Sequence, residues 1–208
     1  MMTKVKICGI TNASDARMVA RASADAIGFN FVRSSARYLE PEMASAISMS
    51  LPPFVATVGV FVDSPVQKVR EIAEFCDLDF VQLHGHESPP KVEDLADLRL
   101  LKAIRVGGEE DIEGLGKYRV DAYLLDARVP GKAGGTGETF DWNIARRASG
   151  RGEIVILAGG LTPDNVEEAV RTARPYAVDT ASGVENAPGE KSRELVEKFV
   201  ERAKSVRL

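Results

Sequence analysis

Thiols are scarce in this chain: Cys8 and Cys76 are the two cysteines among 208 residues, and they lie far apart. Such usage excludes a disulfide framework and places the protein in a reducing compartment, the cytoplasm. A basic excess is also missing. Lys and Arg number 27 against 31 Asp and Glu, giving a net charge of -4, which argues against nucleic acid or an anionic membrane as a partner. No long apolar run is present. The uncharged stretch from Ser48 to Val62 is interrupted by Pro52-Pro53 and is too short to cross a bilayer. The first residues lack the charged segment, apolar run and cleavage site of a signal peptide. Asn and Gln are sparse beside Glu, Lys and Arg, a balance that leans towards a thermophilic source.

What is there reads as one soluble domain over residues 1–208, with 44% hydrophobic and 28% charged residues. Short β-rich apolar runs alternate with charged amphipathic segments. Strands are expected to begin near Val5, Ala26, Val55, Phe80, Leu101, Ala122, Ile154 and Ala177. Helices are expected over 13–23, 41–50, 65–76, 88–97, 109–117, 141–149, 163–173 and 190–205, with Pro41, Pro65 and Pro163 in first helical turns. Val58–Val62 and Ile154–Ala158 are apolar on both faces, as buried parallel strands are. Eight βα units in this length predict an α/β fold, a single (β/α)8 barrel. A doubly wound sheet would carry a G-x-G-x-x-G turn after its first strand, and Cys8-Gly9-Ile10-Thr11-Asn12 is not one.

Barrel active sites form at the C-terminal ends of the strands, so residues there carry the functional expectations. Cys8 ends the first strand on the face of Lys6, whose ammonium is expected to lower the thiol pKa. Asp126 ends the sixth strand on the inward face of Leu124, as a loop-binding carboxylate or as a proton donor. Asp179, in the last strand, faces Lys6 or a substrate hydroxyl. Gly159-Gly160 and Ser182-Gly183 follow strands seven and eight, the usual phosphate site of such barrels. Arg33 and Arg37 share the loop after strand two, and either suits a carboxylate. His84 is a candidate substrate contact and His86 is expected in solvent. No set of three or four metal ligands appears, so no metal is expected. Cys76 closes a helix and is expected to be structural. The loop Ala127–Phe140, with Gly131, Gly134, Gly135 and Gly137, is expected to act as a lid.

Ordered blocks from end to end resemble a known family. They are Val5-Lys6-Ile7-Cys8-Gly9-Ile10-Thr11, Asp25-Ala26-Ile27-Gly28-Phe29, Arg37-Tyr38, Val58–Val62 and Val81-Gln82-Leu83-His84-Gly85. Leu124-Leu125-Asp126, Gly134-Gly135-Thr136-Gly137, Thr139–Trp142, Leu157–Leu161, Val178-Asp179 and Ser182–Glu185 complete the set. In them the chain resembles the phosphoribosylanthranilate isomerases of tryptophan biosynthesis. The resemblance implies a cofactor-free Amadori rearrangement of N-(5'-phosphoribosyl)anthranilate, a small phosphorylated substrate, with Asp126 as general acid and Cys8 as general base. It assigns Arg37 to the anthranilate carboxylate, Asp179 to the sugar hydroxyls, and the two glycine turns to phosphate. Monomer and homodimer both stand. Two departures from the pattern occur: Val32–Ala36 lacks the proline and lysine common there, and Thr180-Ala181-Ser182 replaces Val-Ser-Ser. Rival readings are another sugar-phosphate barrel enzyme, which needs a lysine–glutamate pair or two aspartates, and a non-catalytic phosphate binder, which has no need of Asp126.

Overall fold

The computed structural model describes residues 2–127 and 139–208. Eight parallel strands close into a barrel in the order β1 to β8. They are β1 Lys4–Cys8, β2 Ala26–Asn30, β3 Ala56–Phe61, β4 Phe80–Leu83, β5 Leu100–Val106, β6 Ala122–Ala127, β7 Val155–Leu157 and β8 Ala177–Thr180. Each expected strand start lies within one residue of the observed one. The barrel closes through β1 and β8, which pair from Lys4↔Ala177 to Ile7↔Thr180.

Alternation along the strands sorts the apolar residues into two layers. Val5, Ile7, Ile27, Phe29 and Leu125 face outward and pack with Val19, Val170 and Phe199 of the surrounding helices. Val58, Leu101, Leu124, Ile156 and Ala177 fill the barrel interior. Above that plug the inward positions turn polar: Cys8, Gln82, Asp126 and Asp179 line a cavity at the C-terminal end.

The helices are α1 Ala13–Arg21, α2 Pro41–Ser48, α3 Val66–Phe75, α4 Pro89–Glu93, α5 Trp142–Gly150, α6 Val166–Ala173 and α7 Arg193–Ser205. Asn12 caps α1, accepting from the Asp15 amide at 2.8 Å, and Asp141 and Ser192 cap α5 and α7. The expected helix over 109–117 is instead two 3-10 turns, Glu109–Ile112 and Leu115–Lys117. Gly114 and Gly116 explain the break: each glycine costs about 1 kcal/mol in a helix interior, and so short a segment has little cooperativity to offset it. Pro163 lies in the turn before α6 rather than inside it. The last helix begins later than expected because 185–191 forms a hairpin, β9 Glu185–Ala187 with β10 Glu190–Lys191, turning at Gly189 with φ +84°. The glycine-rich segment at 131–137, the expected lid, lies outside the described residues. Among the described residues no helix is long and apolar enough to cross a membrane.

Candidate active site

The cavity at the C-terminal mouth has a volume of about 200 Å³ and brings together Cys8, Arg37, His84, Asp126, Asp179, Gly159, Gly160 and Ser182. Every sequence-predicted site residue lines it except Gly183 and the alternative arginine, Arg33. A larger space of about 360 Å³ lies at the opposite end of the barrel, walled by Val58, Phe80, Leu101 and Ile156. Lys4, Lys6, Asp25 and Asp121 also line it, but neither Cys8 nor Asp126 does.

β1 delivers Lys6 and Cys8 inward. Beside the thiol stands Gly28 of β2, where an added Cβ would lie 2.7 Å from Cys8 Sγ. The Gly28 carbonyl accepts from the amides of Gly9 and Ile10 at 2.9 and 3.0 Å, pinning the end of the strand. Lys6 donates to Asp179 at 2.8 Å, and both are buried. Burial opposes the Lys6 charge, but the Asp179 carboxylate and the Cys8 thiol outweigh it and raise its pKa. The expected lowering of the thiol pKa is not what the structure gives. Burial pushes Cys8 above the ordinary thiol value, and the charges of Lys6 and Lys191 offset it only in part.

Across the mouth, Asp126 extends from β6, three strands from β1 around the barrel. Its Oδ2 lies 3.3 Å from His84 Nε2, and His84 Nδ1 lies 2.9 Å from the amide nitrogen of Gln82. The loop bearing His84 is braced from below. Lys102 donates to the carbonyls of Leu83 and Gly85 and to Glu87, at 3.3, 2.8 and 2.8 Å. His86 stands apart, 86% exposed and 3.6 Å from Asp63, so the two rings do not converge. Cys76 is buried, donates to the Pro41 carbonyl at 3.3 Å, and is pushed by burial to a pKa of about 11. It is structural.

The two candidate arginines lie in different places. Arg33 lies over the Tyr38 ring at 5.7 Å, whereas Arg37 reaches the cavity. Gly9 lets it do so, because an added Cβ there would collide with the Arg37 stem. The guanidinium is already gripped by Glu185 from the β9–β10 hairpin, with Nε to Oε1 at 2.9 Å and Nη2 to Oε2 at 2.6 Å. Lys191 donates to the same carboxylate at 2.7 Å and to the Ala181 carbonyl at 3.0 Å. Burial would raise the Glu185 pKa, but the bonds from Arg37 and Lys191 hold it below the usual value.

The two glycine turns complete the mouth. Gly159 and Gly160 adopt left-handed φ of +84° and +64°, and a Cβ on Gly159 would press on the Ala127 amide and on Asp126 Oδ1. Asn165 clamps this turn, donating to the Gly160 carbonyl at 2.9 Å and accepting from the Thr162 amide at 2.8 Å. Gly183 stands behind the cavity wall, where an added Cβ would collide with the Leu161 carbonyl. Thr180 donates to that same carbonyl at 2.7 Å, tying the two turns together.

A model of the N-(5'-phosphoribosyl)anthranilate (PRA) isomerase family matches residues 5–202. The chain belongs to that family. It is accordingly an isomerase of tryptophan biosynthesis. An N-(5'-phosphoribosyl)anthranilate isomerase from Geobacter sp. (strain M21) is 55% identical over 205 residues, covering 99% of this chain and 100% of the relative. The crystal structure of phosphoribosylanthranilate isomerase from Thermotoga maritima superposes with a TM-score of 0.93 at 42% identity, covering 99% of this chain and 100% of that one. A phosphoribosylanthranilate isomerase solved with reduced 1-(o-carboxyphenylamino)-1-deoxyribulose 5-phosphate gives 0.89 at 40% identity, with 99% and 100% covered.

Not among the expected site residues were Gln82, which lines the cavity, and Glu185 and Lys191, which hold Arg37 from outside it. Gln82 was detectable, since period-two alternation places it on the face of His84. The hairpin carrying the other two was signalled by Pro188-Gly189, a turn dipeptide that the expected 190–205 helix ran up against.

Proposed function

We propose that this chain converts N-(5'-phosphoribosyl)anthranilate into 1-(2-carboxyphenylamino)-1-deoxyribulose 5-phosphate, with Asp126 as general acid and Cys8 as general base. The observation that carries the proposal is the meeting of Cys8 and Asp126 in one cavity whose rim holds the glycine turns and Arg37. Asp126 gives its proton to the ribose ring oxygen as the C1'–O bond breaks, and the anthranilate nitrogen lone pair forms the iminium. The Cys8 thiolate removes the C2' proton, and that electron pair yields the enolamine. Loss of the C2' hydroxyl proton and protonation of C1' give the ketone. A proton returns from thiol to carboxylate through solvent before the next turnover.

Phosphate is assigned to the amides of the Gly159-Gly160 and Ser182-Gly183 turns, and the anthranilate carboxylate to the edge of Arg37 that Glu185 leaves open. Asp179 faces the sugar, its charge balanced by Lys6. The reaction needs no cofactor, and a free thiol as base suits a reducing cytoplasm. Sedimentation decides between monomer and homodimer.

The test is turnover of freshly prepared substrate, followed as loss of anthranilate fluorescence. Cys8→Ala and Asp126→Asn are each expected to lose about 10²- to 10⁴-fold in kcat. A fully active Asp126→Asn enzyme would sink the acid role.

A further inference from the structure

Gln82 is a polar side chain placed in the barrel wall with 1% exposure. Its amide nitrogen meets His84 Nδ1 at 2.9 Å, while its Oε1 is buried with no hydrogen-bond partner among the described residues. An orphaned amide oxygen is destabilising in a fold, and it marks a side chain kept for what its other end does. An amide NH2 can only donate, so Nδ1 must accept. A ring that accepts at Nδ1 is neutral and carries its single proton on Nε2. That nitrogen faces Asp126 Oδ2 at 3.3 Å. The amide therefore fixes the polarity of the ring, which turns its one N–H towards Asp126.

The reversed amide gives a different state. Nδ1–H would donate to Oε1, Nε2 would become an acceptor, and the proton of a neutral Asp126 would be held by the ring rather than offered to the cavity. The other oxygen, Oδ1, lies on the Gly159 side, 2.9 Å from where a Cβ on that glycine would stand. Gly159 belongs to the cavity rim.

We infer that Gln82 is a positioning residue that holds His84 as the Nε2–H tautomer, so that Oδ2 of Asp126 is engaged as an acceptor and the acid proton is carried on Oδ1. The assignment rests on the acid role proposed above for Asp126. It explains why a strand otherwise packed with apolar residues spends an inward position on an amide. It also gives His84 a duty that needs no proton exchange of its own.

The experiment is ¹⁵N NMR of the full chain labelled at histidine. Two histidines are present, and His86→Asn assigns the two rings. The wild-type chain is expected to show Nδ1 unprotonated and Nε2 protonated. Gln82→Glu, whose carboxylate only accepts, is expected to move the proton to Nδ1 and lower kcat by about tenfold or more with KM within about threefold. Gln82→Met, which fills the space without donating, is expected to give a mixture of tautomers and an intermediate kcat. A wild-type ring protonated at Nδ1 overturns the inference, whether or not any variant folds. So does a Gln82→Glu enzyme that keeps the wild-type tautomer and kcat. The expected spectrum in a chain that fails to turn over the substrate supports the tautomer and counts against the function instead.

Discussion

Lys6 and Asp179 face each other directly across the β1–β8 seam, paired in register and joined by a 2.8 Å ion pair that solvent scarcely reaches. This is the bond at which the barrel closes, and it lies two residues before the candidate base. A buried pair contributes little beyond well-packed apolar residues, but removing one partner leaves a charge stranded. Lys6→Met is therefore expected to cost about 3–5 kcal/mol, and Lys6→Met with Asp179→Leu to recover most of that loss. Denaturant unfolding measures both, and costs that simply add would refute the coupling. Because the folded pKa of Lys6 is raised, its contribution is complete below the ordinary lysine value of about 10.4. It is lost only as pH rises through the folded value. Stability changes near neutrality must come from other groups.

The buried thiol makes a sharper statement about rate. Burial raises the Cys8 pKa, so the thiolate is a minority species whose fraction grows about tenfold per pH unit below that value. In the wild-type enzyme the proposed mechanism also needs an acid's proton, a demand that opposes this growth and flattens the profile. Asp126→Asn removes the opposition. Its residual kcat/KM is expected to climb about tenfold per unit through neutral pH, while the wild-type value changes far less. Parallel profiles for the two enzymes would mean that Asp126 does not supply the proton.

Gly159 tests whether the turn must be glycine. Its φ of +84° is one that side chains rarely adopt, and a Cβ would press on the Ala127 amide and Asp126 Oδ1. Gly159→Ala is expected to destabilise by about 1–3 kcal/mol and to lower kcat as well as raise KM, because the same atom disturbs the proposed acid. Inorganic phosphate should protect the wild type against heat more than the variant. Equal protection would remove phosphate from this turn.

The strands were legible because alternation and spacing are local properties, written into residues two apart. Cys8, Asp126 and Asp179 followed from them, since a strand's end and face fix where its side chain points. Depth was not legible. That burial outweighs Lys6 at Cys8 depends on how closely Gly28 and the closing strand β8 pack around the thiol, and no neighbour in sequence records it. The grip of Glu185 on Arg37 joins residues 148 apart through a hairpin whose only local signal is a turn dipeptide. The expected 109–117 helix fails for the opposite reason: its two glycines are local signals that outweigh its charged, amphipathic pattern.

That grip leads to the last expectation. Glu185 holds Arg37 by Nε and Nη2, and its depressed pKa means the bond is complete above about pH 4 and lost as pH falls through the folded value. Two effects compete when Glu185 becomes Gln. Freeing a guanidinium restores roughly 1.5–2 kcal/mol of side-chain entropy that substrate binding must then remove, which weakens binding about tenfold. Against this, the variant removes a negative charge close to the incoming carboxylate. Lys191 bonds to the same carboxylate and is buried, so its charge is stranded and repels the Arg37 guanidinium, displacing it further. Disorder should win: KM rises about tenfold with kcat within about threefold. A fall in KM would show instead that Glu185 competes with substrate for Arg37, and that the arginine is restrained rather than presented.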